Sequence, residues 1–137
     1  MFISEKTRST SLKEFILYIG IMLFIALFGF IYEQCSHGVN SNYMWFAWVW
    51  VLFGLIPYAI FFLTPIKKVP GVLTACVYNL GVALITTRSI FIGVLEIYGK
   101  TNERMVLIYT ITSILFLSAG LFLYLLGLFL PKKDTNE

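Results

Sequence analysis

Arg88 sits inside a long apolar run, Val72 to Tyr98, where a guanidinium costs about 2.5 to 3.5 kcal/mol on insertion scales. A charge kept at such a place marks either a ligand site or a structural bond. The guanidinium is planar and permanently charged, so it suits a carboxylate, phosphate or halide and cannot shuttle protons. Thr87 and Ser89 flank it, and Glu96 follows eight residues on, about 12 Å of helical rise and about 80° around the axis. Arg88, Thr87, Ser89 and Glu96 are therefore the candidate ligand-binding set, and their ligand would be anionic. Asn79 and Thr86 fall nearly opposite Arg88 on the same helix, so one helix cannot aim all of these groups at one molecule. The structural reading of Arg88 is simpler. The side chain reaches lipid phosphates, bonds exposed carbonyls near a kink, or meets Glu33 on a neighbouring helix.

A second constellation gathers Glu33, Cys35, His37, Glu96 and Glu103 beyond or near the ends of apolar runs. Glu33 and His37 are four apart and share a face if their helix continues to Gly38. Zinc needs three or four ligands, so this pair is at most a weak metal candidate, and no metal or other cofactor is expected. The plainer reading has Gly38 end the helix in a left-handed cap, with His37 beside the exposed carbonyls. Nucleophilic catalysis needs a base within reach of the nucleophile. The single histidine has no serine–carboxylate partnership beyond the adjacent Ser36, so no catalytic residue is assigned and an enzyme is not expected. Trp45 and Trp48, three apart, read as interfacial anchors or as two walls of a cage for a choline-like cation.

The elements that position these residues follow from composition. Of 137 residues, 59% are hydrophobic, 18% aromatic and only 12% charged, and the mean hydropathy is +0.87. Disordered tails, disulfide-stapled secreted domains and water-soluble enzymes need more polar surface or more cysteine than this. Four stretches are apolar over the roughly 20 residues that cross a hydrocarbon core: Phe15 to Tyr32, Tyr43 to Leu63, Val72 to Tyr98, and Met105 to Leu130. They lack the alternation of barrel strands, so they are read as helices. The first run is too long for a signal core, and Tyr32-Glu33-Gln34-Cys35 offers no small-residue cleavage site. It is kept as a span, opened by a capping box in Ser11-Leu12-Lys13-Glu14. Pro57 removes a backbone donor inside the second run and should bend it.

Short connections force neighbouring helices antiparallel. The expected fold is thus all-α: a single integral membrane domain over residues 1–137, a four-span transmembrane helical bundle running up-down-up-down. Lys6, Arg8, Lys13, Lys67, Lys68, Lys132 and Lys133 fall on one side of it, against Lys100 and Arg104 on the other. Because basic residues in short loops stay inside, both termini are expected in the cytoplasm. The net charge of +3 is accordingly a topology signal, and nucleic acid is not an expected partner. Tyr32, Tyr43, Trp45, Trp48, Trp50, Tyr98 and Tyr109 form an outer aromatic belt; Tyr18, Tyr58, Tyr78 and Tyr124 form an inner one. Cys35 and Cys76 lie at opposite ends of the bundle and cannot pair.

Asn79, Thr86 and Gly93 recur every seven residues in the third span, as do Ser113, Gly120 and Gly127 in the fourth. Helices in lipid associate through small residues and side-chain hydrogen bonds rather than through apolar burial. These six residues are the expected helix-packing seams, facing each other within one chain, or with one seam turned outward to a second copy. The expected role is a non-enzymatic membrane subunit or scaffold in the plasma membrane, with the bilayer, copies of itself or a larger membrane complex as partners. The alternative is a small oligomeric transporter or channel using Arg88 for an anionic ligand.

Overall fold

The structure, a computed structural model, describes residues 3–5, 8–63 and 68–129. The chain is helical over most of that length. Its helices are α1 (Arg8–Gln34), the one-turn α2 (Asn42–Trp45), α3 (Ala47–Leu63), α4 (Val72–Ile97) and α5 (Glu103–Phe129). One short antiparallel pairing, not expected from sequence, joins β1 (Ile3–Glu5) to β2 (Lys68–Pro70), with Ile3 opposite Pro70 and Glu5 opposite Lys68. Three of the helices are long and apolar enough to cross a membrane, over Leu12–Gln34, Val72–Ile97 and Glu103–Gly127. Of the basic residues that set the expected orientation, Lys6, Lys67, Lys132 and Lys133 lie outside the described residues.

Two local expectations need correction. The first helix begins at Arg8, so Ser11 and Glu14 lie inside it rather than forming its cap. Nothing between Arg8 and Ser11 breaks a helix, and the chain simply starts winding a turn earlier. The expected second span is also not one helix. Ser41, extended at φ −121°, caps α2 by accepting the Met44 amide, and the winding tightens at Phe46, whose carbonyl accepts from the Val49 amide three residues on. The 17 residues of α3 rise about 25 Å, short of the roughly 30 Å hydrocarbon core.

The helices pack in a row, α1 on α3, α3 on α4 and α4 on α5. The row is held by close backbone approaches. At Gly54 of α3 a methyl group would collide with the Tyr18 ring of α1. At Gly81 of α4 it would meet the Leu117 amide nitrogen at 2.6 Å, and at Gly120 of α5 the Tyr78 α-carbon at 2.7 Å. The last two contacts set an antiparallel register for α4 and α5. At the junction of α3 and α4, Pro57 has no amide hydrogen, so the Phe53 carbonyl one turn earlier lacks its helical donor. The Tyr78 hydroxyl of α4 donates to that carbonyl at 2.7 Å. The proline therefore creates an acceptor that a neighbouring helix fills.

Polarity is inverted relative to a protein built for water. Glu33, Ser41, Thr74, Thr86, Ser89 and Ser113 are buried, whereas Leu17, Leu23, Phe24, Leu115 and Phe122 are each at least 61% exposed. Water-soluble chains bury the second kind and expose the first.

The two expected seams do not face each other. The α5 residues Ser113, Gly120 and Gly127 are buried, and Gly120 meets Tyr78 while Leu117, on the same helix, meets Gly81. The α4 seam faces the other way: Asn79 bonds Tyr18 of α1 and Tyr58 of α3, and Gly93 lies against Met44 of α2. Thr86, buried between them, turns its hydroxyl back to the Val82 carbonyl of its own helix. The reason is the central place of α4 in the row, which gives it two packed faces rather than one.

Candidate functional site

The candidate residues settle into three polar clusters at three levels of the row. At one end, Tyr18 of α1 passes over Gly54 of α3 and donates to the Asn79 side-chain oxygen of α4 at 2.6 Å. The Asn79 amide donates to the Tyr58 hydroxyl of α3 at 3.2 Å, and the Tyr18 and Tyr58 rings lie 5.4 Å apart. Three helices are thereby tied at one point. Glu14, one turn before Tyr18, has one carboxylate oxygen buried and lies within electrostatic reach of both rings.

At the opposite end, Ser41 joins two carboxylates. Its amide donates to Glu33 Oε1 at 3.0 Å and its hydroxyl donates to Glu96 Oε2 at 2.5 Å. Ser41 and Glu33 are both buried, while the Glu96 residue as a whole is exposed. Immediately beyond, Met44 fills the space between Gly29 of α1 and Gly93 of α4, and its backbone would touch a methyl at either glycine. Ser89 of α4 donates to the Tyr43 carbonyl at 2.8 Å. The one-turn helix is thus a wedge seated on two glycine notches and bolted by Ser41 and Ser89.

Between these ends lies Arg88, half-buried. Its Nε donates to Thr110 Oγ1 of α5 at 2.6 Å, and that hydroxyl donates onward to the Val106 carbonyl at 2.6 Å. Arg88 and Thr110 stand in the same antiparallel register as Tyr78 with Gly120 and Gly81 with Leu117. The base of the guanidinium is therefore held at its own level by a neighbouring helix rather than drawn to a membrane edge.

The expected anion-binding set is dispersed by these contacts. Arg88 turns to Thr110, Thr87 to the Ala83 carbonyl of its own helix, Ser89 to Tyr43 and Glu96 to Ser41. The weak metal pair is separated too. The first helix stops at Gln34, Glu33 turns to Ser41, and exposed His37, at φ 56°, bonds the Cys35 carbonyl through Nδ1 at 3.0 Å. Among the described residues no group of three histidine, cysteine or acidic side chains is placed to hold a metal ion. The turn at Phe46 separates Trp45, at the end of α2, from Trp48 in α3. Cys35 and Cys76 are free and exposed at opposite ends of the row.

Four participants were not singled out from sequence: Ser41, Met44, Thr110 and the pairing of Tyr78 with Phe53. Ser41 carried the one readable signal, since a serine before an aromatic-rich run is a helix-cap pattern. Tyr78 was readable only as a belt residue. The partner of Arg88 depends on helix register, which sequence spacing within one helix does not contain. In comparisons with known proteins, no family model, curated protein or solved structure matches the chain.

Proposed function

We propose that the chain is a non-enzymatic subunit or scaffold of the plasma membrane, crossing the bilayer four times with both termini in the cytoplasm. The observation that carries this reading is the inverted polarity: small polar groups tie the helices from within, and large apolar side chains cover the outside. A fourth crossing is favoured by the positions of its neighbours. α1 finishes at the Glu33–Ser41–Glu96 end and α4 starts at the Tyr18–Tyr58–Asn79 end, so the chain between them must travel the height of the row. The open row, in which α1 packs chiefly on α3 and α5 chiefly on α4, leaves lateral surface for partners within the bilayer.

The alternative, an oligomeric anion pathway using Arg88, draws on one fact, a fixed positive charge away from both helix ends. The dispersal of Thr87, Ser89 and Glu96 weighs against it. Vesicles reconstituted with purified protein decide between the two: the subunit reading expects no anion flux above protein-free vesicles. Flux that disappears in Arg88→Leu while insertion is retained would establish the pathway instead. Topology has its own assay in the native cysteines. In intact cells a membrane-impermeant maleimide should label Cys35 and spare Cys76; the opposite pattern overturns the orientation.

A further inference from the structure

Arg88 carries five N–H donors, of which one, at Nε, is bonded among the described residues. Among the described residues no carboxylate pairs with it and no acceptor takes its two terminal amino groups. Thr110 gives its own proton to Val106, so its oxygen is turned to Arg88 and fixes the base of the guanidinium. What remains free is the forked edge, the part that matches a carboxylate through two parallel bonds.

Depth selects the kind of partner. Arg88 lies nine residues before Ile97 and sixteen after Val72, about 13 and 24 Å from the ends of α4, and its bond to Thr110 keeps it at that level. Headgroup phosphates lie at the edges of the hydrocarbon, not there. Among the described residues, a second copy of the chain does not supply the charge at this level either. The carboxylates of Glu33 and Glu96 are engaged at Ser41, with Glu96 about 12 Å of helical rise away, Glu103 is in the first turn of α5, about 10 Å of rise from Thr110, and Glu14 is toward the far end. Two copies inserted in the same direction would bring Arg88 level with Arg88.

We propose that Arg88 is the docking anchor for a transmembrane helix of a different protein, one that carries an aspartate or glutamate at the depth of Arg88 and lies along the open side of α4 and α5. This inference rests on the membrane-subunit reading and names the partner's chemistry. In lipid, a guanidinium with a free fork is stabilised by an opposite charge on an adjacent helix, and Arg88 is only half-buried, with Thr87 of α4 and Leu107, Ile111 and Ile114 of α5 exposed nearby in sequence.

The test uses the full chain in phosphatidylcholine vesicles and a synthetic transmembrane Leu/Ala peptide bearing one central Asp, with association read by energy transfer between labels. The Asp peptide should associate about tenfold more tightly than its Asn counterpart, and more tightly than a peptide whose Asp is moved three turns toward one end. Arg88→Gln, which keeps a donor for Thr110 but no charge, should abolish the preference. Equal association of the Asp and Asn peptides, or a preference that ignores depth, overturns the proposal. A preference that vanishes when phosphatidylglycerol is added assigns the fork to lipid phosphate and also overturns it. If Arg88→Gln does not fold, the peptide series on the unmodified chain decides alone. The subunit reading fails by different readouts, anion flux or loss of membrane integration, neither of which the peptide series measures.

Discussion

Replacing Tyr78 with Phe removes one oxygen and leaves the ring, its packing and the Gly120 contact in place. The lost hydroxyl is the donor to the Phe53 carbonyl, which has no helical donor because residue 57 is proline. Side-chain hydrogen bonds inside membranes average about 0.6 kcal/mol and reach about 1.7. Leaving a carbonyl orphaned away from water adds a desolvation penalty of about 1–3 kcal/mol in the general case. Tyr78→Phe should therefore destabilise the chain by about 1–2 kcal/mol. The decisive experiment is a double-mutant cycle with Pro57→Ala. Alanine restores an amide that can bond Phe53 along the helix, so in that background Tyr78→Phe should cost under about 0.5 kcal/mol, a coupling of about 1 kcal/mol. Reversible unfolding in mixed detergent–lipid micelles, followed by circular dichroism, gives all four stabilities. If the two substitutions prove additive, the hydroxyl is not answering the proline and the account of the α3–α4 junction is wrong.

Three further outcomes follow from the contacts. Gly81→Ala and Gly120→Ala should each destabilise by at least about 2 kcal/mol, because the new methyl meets backbone atoms at 2.6 and 2.7 Å. Gly20→Ala, with nothing within 4 Å, should be neutral or slightly stabilising; thermal unfolding of the three side by side checks the contrast. Ser41→Ala removes the α2 cap and the hydroxyl bonded to Glu96, and should cost about 1–2 kcal/mol, read by the same unfolding assay. Asn79→Leu severs α4 from both Tyr18 and Tyr58, and its effect should shrink sharply in a Tyr18→Phe, Tyr58→Phe background; an unchanged effect would show that the amide acts elsewhere.

The long helices were legible because nothing competes with their signal: an unbroken apolar run in a chain this poor in charge has few alternatives to a helix. The boundaries of α4 and α5 fall within one or two residues of the apolar runs that announced them. The split between α2 and α3 was hidden because its cause is tertiary. Met44 is drawn between Gly29 and Gly93, and neither glycine lies near it in sequence. The seams illustrate the same limit. A seven-residue recurrence of small groups singled out Asn79 and Gly93, and Ser113 and Gly120, of which the last three are buried and Asn79 half-buried, yet a stripe does not name its neighbour. Arg88 was found by type alone, since a charge among apolar residues is conspicuous, while Thr110 looked like any other threonine.

The bond between Tyr18 and Asn79 spans 61 residues, which gives it a place in biosynthesis as well as in the finished molecule. A ribosome delivers the phenol long before it makes the amide, so α1 and α3 are complete while that bond is still missing. Only arrival of the stretch carrying Asn79 completes the tie. A product that stalls before it thus differs chemically from a finished chain, with the hydroxyls of Tyr18 and Tyr58 both lacking the amide that joins them to α4.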